Sequence, residues 1–266
     1  MKLAHVLSLA SLCTLAANSF SAATAVAADR NVVSHSFVED NDLWKQDGMF
    51  EKENMTQEEF DIIIDNAYAV YAPLAEAKGE HLEIAHLWND STVNANCSNM
   101  GGTIHVNMYG GLARRPEITR DGFALVLCHE LGHAFAGAPY ANPVFQLSAE
   151  GMADYYGAGT CLTKVLPTLA QDSAPTETDY IRARCTEKHG SDTNGYQACL
   201  RQFSAGQALG NLLSVVKKQP VPNFETPDPT VVPKTLGSYP ATVQCRLDTY
   251  RAGALEQPRP ACWFKN

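Results

Sequence analysis

Two histidines and a glutamate stand at the spacing of a helical metal site, in the segment His129-Glu130-Leu131-Gly132-His133. Residues four apart lie on the same face of an α-helix, so the imidazoles of His129 and His133 project side by side and can bind one zinc ion. Glu130 then lies beside the ion, where its carboxylate can take a proton from a zinc-bound water and pass it to a leaving amine. The segment predicts one zinc ion per chain and hydrolytic chemistry.

A helix that merely contains two histidines is the alternative. The residues just before the segment, Phe123 to Cys128, are all apolar, which indicates that the helix is buried. A buried triplet of polar side chains without partners would be costly, and metal binding supplies the partners. The surrounding sequence therefore favours the metal site.

A catalytic zinc ion needs a third protein ligand and one open position. The metzincin pattern requires a glycine three residues after the second histidine and another histidine three residues further, where this chain has Ala136 and Pro139. A thiol ligand stays open, but Cys128 adjoins His129 and points around the helix. The best candidate is Glu150, at the start of the next predicted helix.

Glu150 and Asp154 lie one helical turn apart. Glu150 can bind zinc, while Asp154 can accept a hydrogen bond from the free N–H of a ligand histidine and so fix the orientation and tautomer of its ring. The alternatives are a solvated carboxylate that favours the helix dipole for Glu150 and an ordinary surface acid for Asp154. The pairing of the two carboxylates behind His133 favours the functional interpretation.

The combination of H-E-L-G-H with Glu150-x-x-Ala153-Asp154 resembles the gluzincin metallopeptidases, and more narrowly the HtpX-like family related to the CAAX prenyl proteases. The similarity covers about residues 103 to 165. It implies a zincin-like fold and peptidase activity on a peptide or protein substrate. It also implies that zinc is held by His129, His133 and Glu150, with Glu130 as general base and Asp154 in support.

A later segment extends the resemblance. The family often carries a His-Pro step followed by an arginine near the active site, and this chain has Tyr239-Pro240 and then Arg246. In this correspondence Tyr239 replaces the histidine, and its phenol can donate a hydrogen bond to the developing oxyanion. The alternative is a tyrosine that packs its segment against the domain. The integral-membrane helices of several family members have no counterpart in the sequence, which argues against membrane-embedded substrates.

Hydrophobic periodicity predicts the elements that position these residues. Thr56 and Glu59 form a capping box that begins a helix ending near Lys78-Gly79. Two strands are predicted, at residues 82–88 and 103–108, with Gly101-Gly102 as a turn before the second. Thr119 caps the metal helix, and further helices are predicted at about 149–166 and 196–218. This order predicts one α+β domain.

The strand that ends at Met108 is predicted to have a second role, pairing through its backbone with an extended substrate. Gly110 and Gly111 would allow the close approach that such pairing needs, and a simple connector turn is the alternative. His105, on the same strand, is interpreted as a surface residue and not as a fourth ligand.

The amino-terminal residues predict export. Lys2, an apolar stretch from Leu3 to Ala17 and Ala25-Val26-Ala27 form a signal peptide at residues 1–27, with a membrane anchor as the alternative. The apolar stretch is short for a span, and polar residues interrupt it. We expect a periplasmic or extracellular protein with no membrane span after the signal is removed.

The predicted organisation is a metallopeptidase domain at 28–218, irregular up to about residue 53, followed by a strap at 219–266. Six prolines from Pro220 to Pro240 indicate that the strap is extended. Of the eight cysteines, Cys13 lies in the signal, and the remaining seven predict up to three disulfides. We predict a first pair, Cys245–Cys262, in an irregular tail. Cys128 is the predicted free thiol, because its helix is buried.

Composition excludes two classes of protein. With 45% hydrophobic and 18% charged residues, the chain does not match a disordered protein. A net charge of −9 without a basic cluster argues against a nucleic-acid partner.

The sequence therefore predicts a zinc-dependent endopeptidase. A zinc-stabilised binding or chaperone-like protein on the same fold is the alternative, and Glu130 disfavours it because a non-catalytic site does not need that carboxylate. A purely structural zinc site would require four protein ligands and no basic glutamate.

Overall fold

The computed structural model describes residues 34–44, 54–171, 175, 177–191 and 193–265. All of these belong to one compact unit. The predicted signal peptide at 1–27 lies outside the described residues. The described elements confirm the predicted α+β class, with a small mixed sheet and several helices.

The main sheet has four strands in the order β1-β3-β4-β2. The strands are β1 Ser34–Ser36, β2 His81–Leu87, β3 Ala95–Met100 and β4 Thr103–Tyr109. The two predicted strands correspond to β2 and β4. In β4 the alternating residues Ile104, Val106 and Met108 are buried, which is the reason that its pattern could be recognised. β1 and β3 were not predicted.

β4 lies at the centre of the sheet. Val106 pairs with Ile84 of the parallel strand β2 and with Cys97 of the antiparallel strand β3. The prediction that this strand pairs with a substrate is therefore wrong, because both of its edges are occupied. Gly110 and Gly111 do allow a close approach, but to the chain's own backbone. A Cβ atom would lie 1.8 Å from the Trp88 carbonyl oxygen at Gly110 and 2.1 Å from that of Ser91 at Gly111.

His105 lies at the surface of the sheet, as predicted. Its side chain is 40% exposed, and its Nδ1 lies 3.0 Å from a carboxylate oxygen of Glu83.

The first and third helices confirm their predicted boundaries, whereas the short second helix was not predicted. α1 is Gln57–Ala77, and it begins with the reciprocal hydrogen bonds of the Thr56–Glu59 capping box. The short helix α2 is Gly110–Ala113. α3 is Arg120–Phe135, where the Thr119 side chain accepts a hydrogen bond from the Gly122 amide. α3 is buried on nearly every side, because it packs against the sheet, α1 and later helices.

The chain after α3 forms a short hairpin and then a composite helix. The hairpin strands are β5 Tyr140–Asn142 and β6 Leu147–Ser148. The predicted helix at 149–166 consists of α4 Glu150–Tyr156, a π-helical turn Gly157–Cys161 and α5 Leu162–Val165, followed by a 3₁₀ turn Leu166–Thr168. The π-helical turn is a feature that periodicity does not reveal.

The last helices are α6 Asp179–His189, α7 Asn194–Lys217 and α8 Val243–Ala254. α7 is the predicted helix at 196–218, whereas α6 and α8 were not predicted. Residues 219–242 contain no helix or strand, as the prolines predict. The prediction that Cys245 lies in an irregular tail is wrong, because α8 contains it. α8 packs against α4 and α7, and its buried Arg246 and Asp248 interrupt the apolar pattern that would have revealed it.

Three disulfides form within the described residues, and they correct one prediction. Cys245–Cys262 is confirmed, and Cys185–Cys199 joins α6 to α7. Cys128 is not free but bonded to Cys161. Gly157 lies beside this contact, and a Cβ atom there would lie 3.1 Å from the Cys128 carbonyl carbon, so a larger residue would need a shift of a few tenths of an ångström. The free thiol among the described residues is the buried Cys97.

In the described part of the chain, no helix combines the length and apolarity that a membrane span requires.

Candidate metal centre

α3 and α4 approach each other at the motif itself. A Cβ atom at Gly132 would lie 2.8 Å from both the Cα and the carbonyl oxygen of Ala153. The glycine between the two motif histidines and the alanine before Asp154 therefore set the distance between the helices. This contact brings the first residues of α4 beneath the histidines of α3.

We expect Gly132→Ala to lower the free energy of unfolding by about 1–3 kcal/mol, because an inserted methyl group forces the two packed helices apart. The same shift should weaken zinc binding, which a competition titration with a chromophoric chelator would measure. Gly237→Ala is the control, since nothing lies within 4 Å of a Cβ atom placed there. Unchanged stability and zinc affinity in Gly132→Ala would show that the contact between the helices is not limiting.

The three predicted ligands converge on one point. The Nε2 atoms of His129 and His133 are 3.2 Å apart, and the Glu150 oxygens lie 3.3 Å from His129 Nε2 and 3.6 Å from His133 Nε2. Ligand atoms on a tetrahedron around zinc, each about 2.0–2.1 Å from the ion, are about 3.3 Å apart. The separations of the donor atoms therefore fit one tetrahedral ion.

Hydrogen bonds fix both imidazoles in the tautomer that a metal requires. His129 Nδ1 lies 2.7 Å from Asp154 Oδ1, and His133 Nδ1 lies 2.8 Å from the Ser148 carbonyl oxygen. Both partners are acceptors, so each Nδ1 donates and each Nε2 faces the other imidazole and the Glu150 carboxylate. Asp154 thus lies within hydrogen-bond distance of His129, one of the two histidines predicted to bind the metal. The two Nε2 atoms beside a carboxylate are a set of donors for a divalent cation, which would displace the proton that His129 holds on Nε2 in its absence.

The shifted pKa values of the buried cluster also indicate that the site favours a positive charge. Burial opposes a charge on His129, but the Asp154 carboxylate outweighs it and raises the pKa of His129 to about 10. Burial lowers the pKa of His133 to about 3, and repulsion from His129 adds to the fall against the attraction of Glu150. For Glu150, burial favours the neutral form, but the neighbouring histidines lower its pKa, so the carboxylate is ionised.

Glu130 is buried and its carboxyl group has no internal partner. Neither of its oxygens has a hydrogen bond, and the residue is 0% exposed. Burial raises its pKa to about 8, against the attraction of the His129 charge. A carboxyl oxygen of Glu130 and the nitrogens of His129 and His133 lie within 4.8 Å of one another. An unpartnered carboxyl group at this place is suited to exchange a proton with a molecule that enters the site.

Arg246 forms a bidentate ion pair with Asp154. Its Nε and Nη2 donate to the two Asp154 oxygens, each at 2.8 Å, and both residues are 0% exposed. Its Nη1 donates to the Phe37 carbonyl oxygen at 2.8 Å, and its guanidinium stacks on the Phe37 ring. α8 is thereby connected through Asp154 to His129 and also to the residue that follows β1. Only the resemblance had singled out Arg246, and it did not indicate this contact.

Tyr239 lies beside the centre, and its hydroxyl donates to the Ser36 carbonyl oxygen. Its ring lies 5.7 Å from the Arg246 guanidinium. This contact agrees with the alternative interpretation of Tyr239, in which the tyrosine packs its segment against the domain. The same residue also lines a groove of about 340 Å³ that opens at Glu150, with His35, Ser36 and Ser238 among the other lining residues.

His35 is a member of the cluster that the sequence did not reveal. Its Nδ1 lies 3.1 Å from Glu150 Oε1, and its ring lies 4.7 Å from the His133 ring. The prediction of an irregular segment up to residue 53 is wrong at 34–36, which form β1, while residues 45–53 lie outside the described residues. A single histidine in a polar stretch carries no spacing that would have singled it out.

No protein-family model, curated protein or solved structure matches the chain. The resemblance to the gluzincins therefore stays a prediction from the sequence, and the function has to be inferred from the site.

Proposed function

We propose that this protein is an exported zinc-dependent endopeptidase with a zincin-like fold. One observation carries the proposal: the Nε2 atoms of His129 and His133 and the carboxylate of Glu150 converge at the spacing of zinc ligands, next to a buried carboxyl group without a partner. A structural zinc site has no need of such a carboxyl group, whereas a hydrolytic site does.

Each residue of the centre has a separate role in the proposed reaction. A bound zinc ion supplies Lewis-acid polarisation of the attacking water and of the scissile carbonyl group. Glu130 accepts a proton from the water and returns it to the leaving amine. Asp154 and the Ser148 carbonyl group hold the two imidazoles in the orientation and tautomer that they need. Tyr239, beside the groove, is the candidate donor to the oxyanion.

Export to an oxidising compartment, periplasmic or extracellular, is supported by the three disulfides. One of them, Cys128–Cys161, adjoins the first zinc ligand.

Metal removal tests the function. We expect about one zinc ion per purified chain, cleavage of an unfolded fluorogenic protein, loss of cleavage after chelation, and recovery with stoichiometric Zn²⁺. The measurement should include His35→Ala as well as the wild type, because His35 lies against Glu150 and can hinder access. Zinc binding without cleavage in both proteins would favour the binding-protein alternative. Absence of zinc binding in both would contradict the metal centre.

A further inference from the structure

We propose that His35 is a fourth protein ligand of the metal centre, delivered by β1, so that the described structure is the closed form of the site. This inference rests on the proposed function and adds its regulation. In the closed form, the imidazole of His35 occupies the position that water and substrate require. Withdrawal of β1 opens that position.

The distances support a fourth ligand. His35 Nδ1 lies 3.1 Å from Glu150 Oε1, which is close to the 3.3 Å between Glu150 Oε2 and His129 Nε2. Ligand atoms of His35, His133 and Glu150 lie within 4.8 Å of one another. Since His133 has only its Nε2 atom available, the two groups of candidate ligands must share one ion and cannot hold two. Four ligands around one zinc ion form a complete tetrahedral shell.

The surroundings of His35 indicate a role beyond packing. Its side chain is only 14% exposed, and its Nε2 atom is buried without a hydrogen-bond partner. Nδ1 is the atom that faces Glu150, and the unsatisfied Nε2 shows that hydrogen bonding alone does not account for the ring at this buried place. A metal bond to the ring, together with the groove that His35 lines, gives the residue a function at this place.

The length and position of β1 allow it to move away from the site. It has three residues and lies at the edge of the sheet, where β3 is its one partner among the described strands. Phe37 and Val38, which follow it, are 0% exposed and anchor the chain, so the movement need involve only Ser34–Ser36. Short edge segments with few pairing bonds open at a lower free-energy cost than the core.

Opening would also change Tyr239. In the closed form its hydroxyl is engaged by the Ser36 carbonyl oxygen, on the edge of β1 that faces away from β3. When β1 withdraws, this donor is released at the groove next to Glu150. One movement thus removes the fourth ligand and frees the candidate oxyanion donor.

Metal titration of the full chain tests the inference with a readout besides activity. We expect His35→Ala to weaken zinc binding at least about tenfold, because loss of even an outer partner of a ligand costs about 10–100-fold. The visible spectrum of the Co²⁺ form should change as a solvent ligand replaces the imidazole. At saturating zinc, cleavage of the fluorogenic substrate should be faster than in the wild type.

Two further variants make the outcomes distinct. His105→Ala is the matched control, since His105 lies on the same sheet but contacts Glu83, and it should leave affinity, spectrum and cleavage unchanged. His35→Asn keeps a polar side chain without an imidazole, and it replaces His35→Ala if near-ultraviolet circular dichroism shows that the alanine variant is misfolded. Wild-type zinc affinity and an unchanged Co²⁺ spectrum in a folded His35 variant would overturn the fourth ligand and leave the proposed function intact.

Failure of the proposed function would give different results in the same zinc-binding and cleavage measurements. If the wild type and His105→Ala bind no zinc, the metal centre itself is wrong. If His35→Ala binds zinc weakly and gains no cleavage at saturating zinc, His35 is a ligand of a structural centre, and the switch is overturned.

Discussion

Glu130→Gln should lower kcat by about 10²–10⁴-fold while the protein still binds one zinc ion, since general-base catalysis contributes a factor of this size. Glutamine has the shape of glutamate but cannot accept the proton. Because neither Glu130 oxygen has a hydrogen bond within the protein, the substitution breaks no internal contact. Stopped-flow or steady-state cleavage of a quenched peptide gives kcat and KM, and metal analysis gives the zinc content.

Glu187→Gln is the matched control, because Glu187 is exposed on α6, where it pairs with the nearby Arg184. It should leave kcat and zinc content unchanged. A Glu130→Gln protein that cleaves at the wild-type rate would remove Glu130 from the mechanism. One that loses zinc would show that Glu130 contributes to metal binding instead.

Arg246→Met should lower the free energy of unfolding by about 3–5 kcal/mol, the usual cost of breaking a buried ion pair from one side. Asp154 would be left as a buried carboxylate whose remaining hydrogen-bond partner in the cluster is His129. The loss should appear in denaturant unfolding of the zinc-loaded protein. Arg184→Met removes an exposed pair and should cost at most about 1 kcal/mol.

A double variant separates stability from metal binding. Replacing a complete buried ion pair by apolar residues is often neutral, so Arg246→Met with Asp154→Leu should recover much of the lost stability. Zinc affinity should stay reduced by about 10–100-fold, because His129 has lost the acceptor that orients its ring. Recovery of both properties would mean that Asp154 does not act on the metal ligand.

The sequence predicts the part of the site that is local in the chain. Helical periodicity alone places His129 and His133 on one face and Glu150 and Asp154 one turn apart, and the structure brings these four residues together. What spacing cannot predict are the contacts made by distant segments. His35 and Glu150 are 115 residues apart, and Arg246 and Asp154 are 92 apart. Such pairs depend on packing that no local pattern encodes.

The same distinction holds for the fold. α1, α3 and β4 have one buried face or a clear cap, so periodicity and capping predict them. β3, with the sequence Ala-Asn-Cys-Ser-Asn-Met, lacks the β-branched and aromatic residues that mark a strand. Burial of its helix predicts a free Cys128, but the Cys128–Cys161 bond joins segments 33 residues apart whose packing no local pattern encodes.

The three hydrogen bonds that Arg246 donates have a consequence for biosynthesis. Arg246 binds Asp154, which precedes it by 92 residues, and Phe37, which precedes it by 209. A chain grows from its amino terminus, so the histidines, Glu150 and Asp154 are all made before the residue that neutralises Asp154. Until α8 is in place, the centre contains a carboxylate that cannot be buried without a large cost. A chain that stops before Arg246 should therefore assemble the metal centre less favourably than one that includes α8.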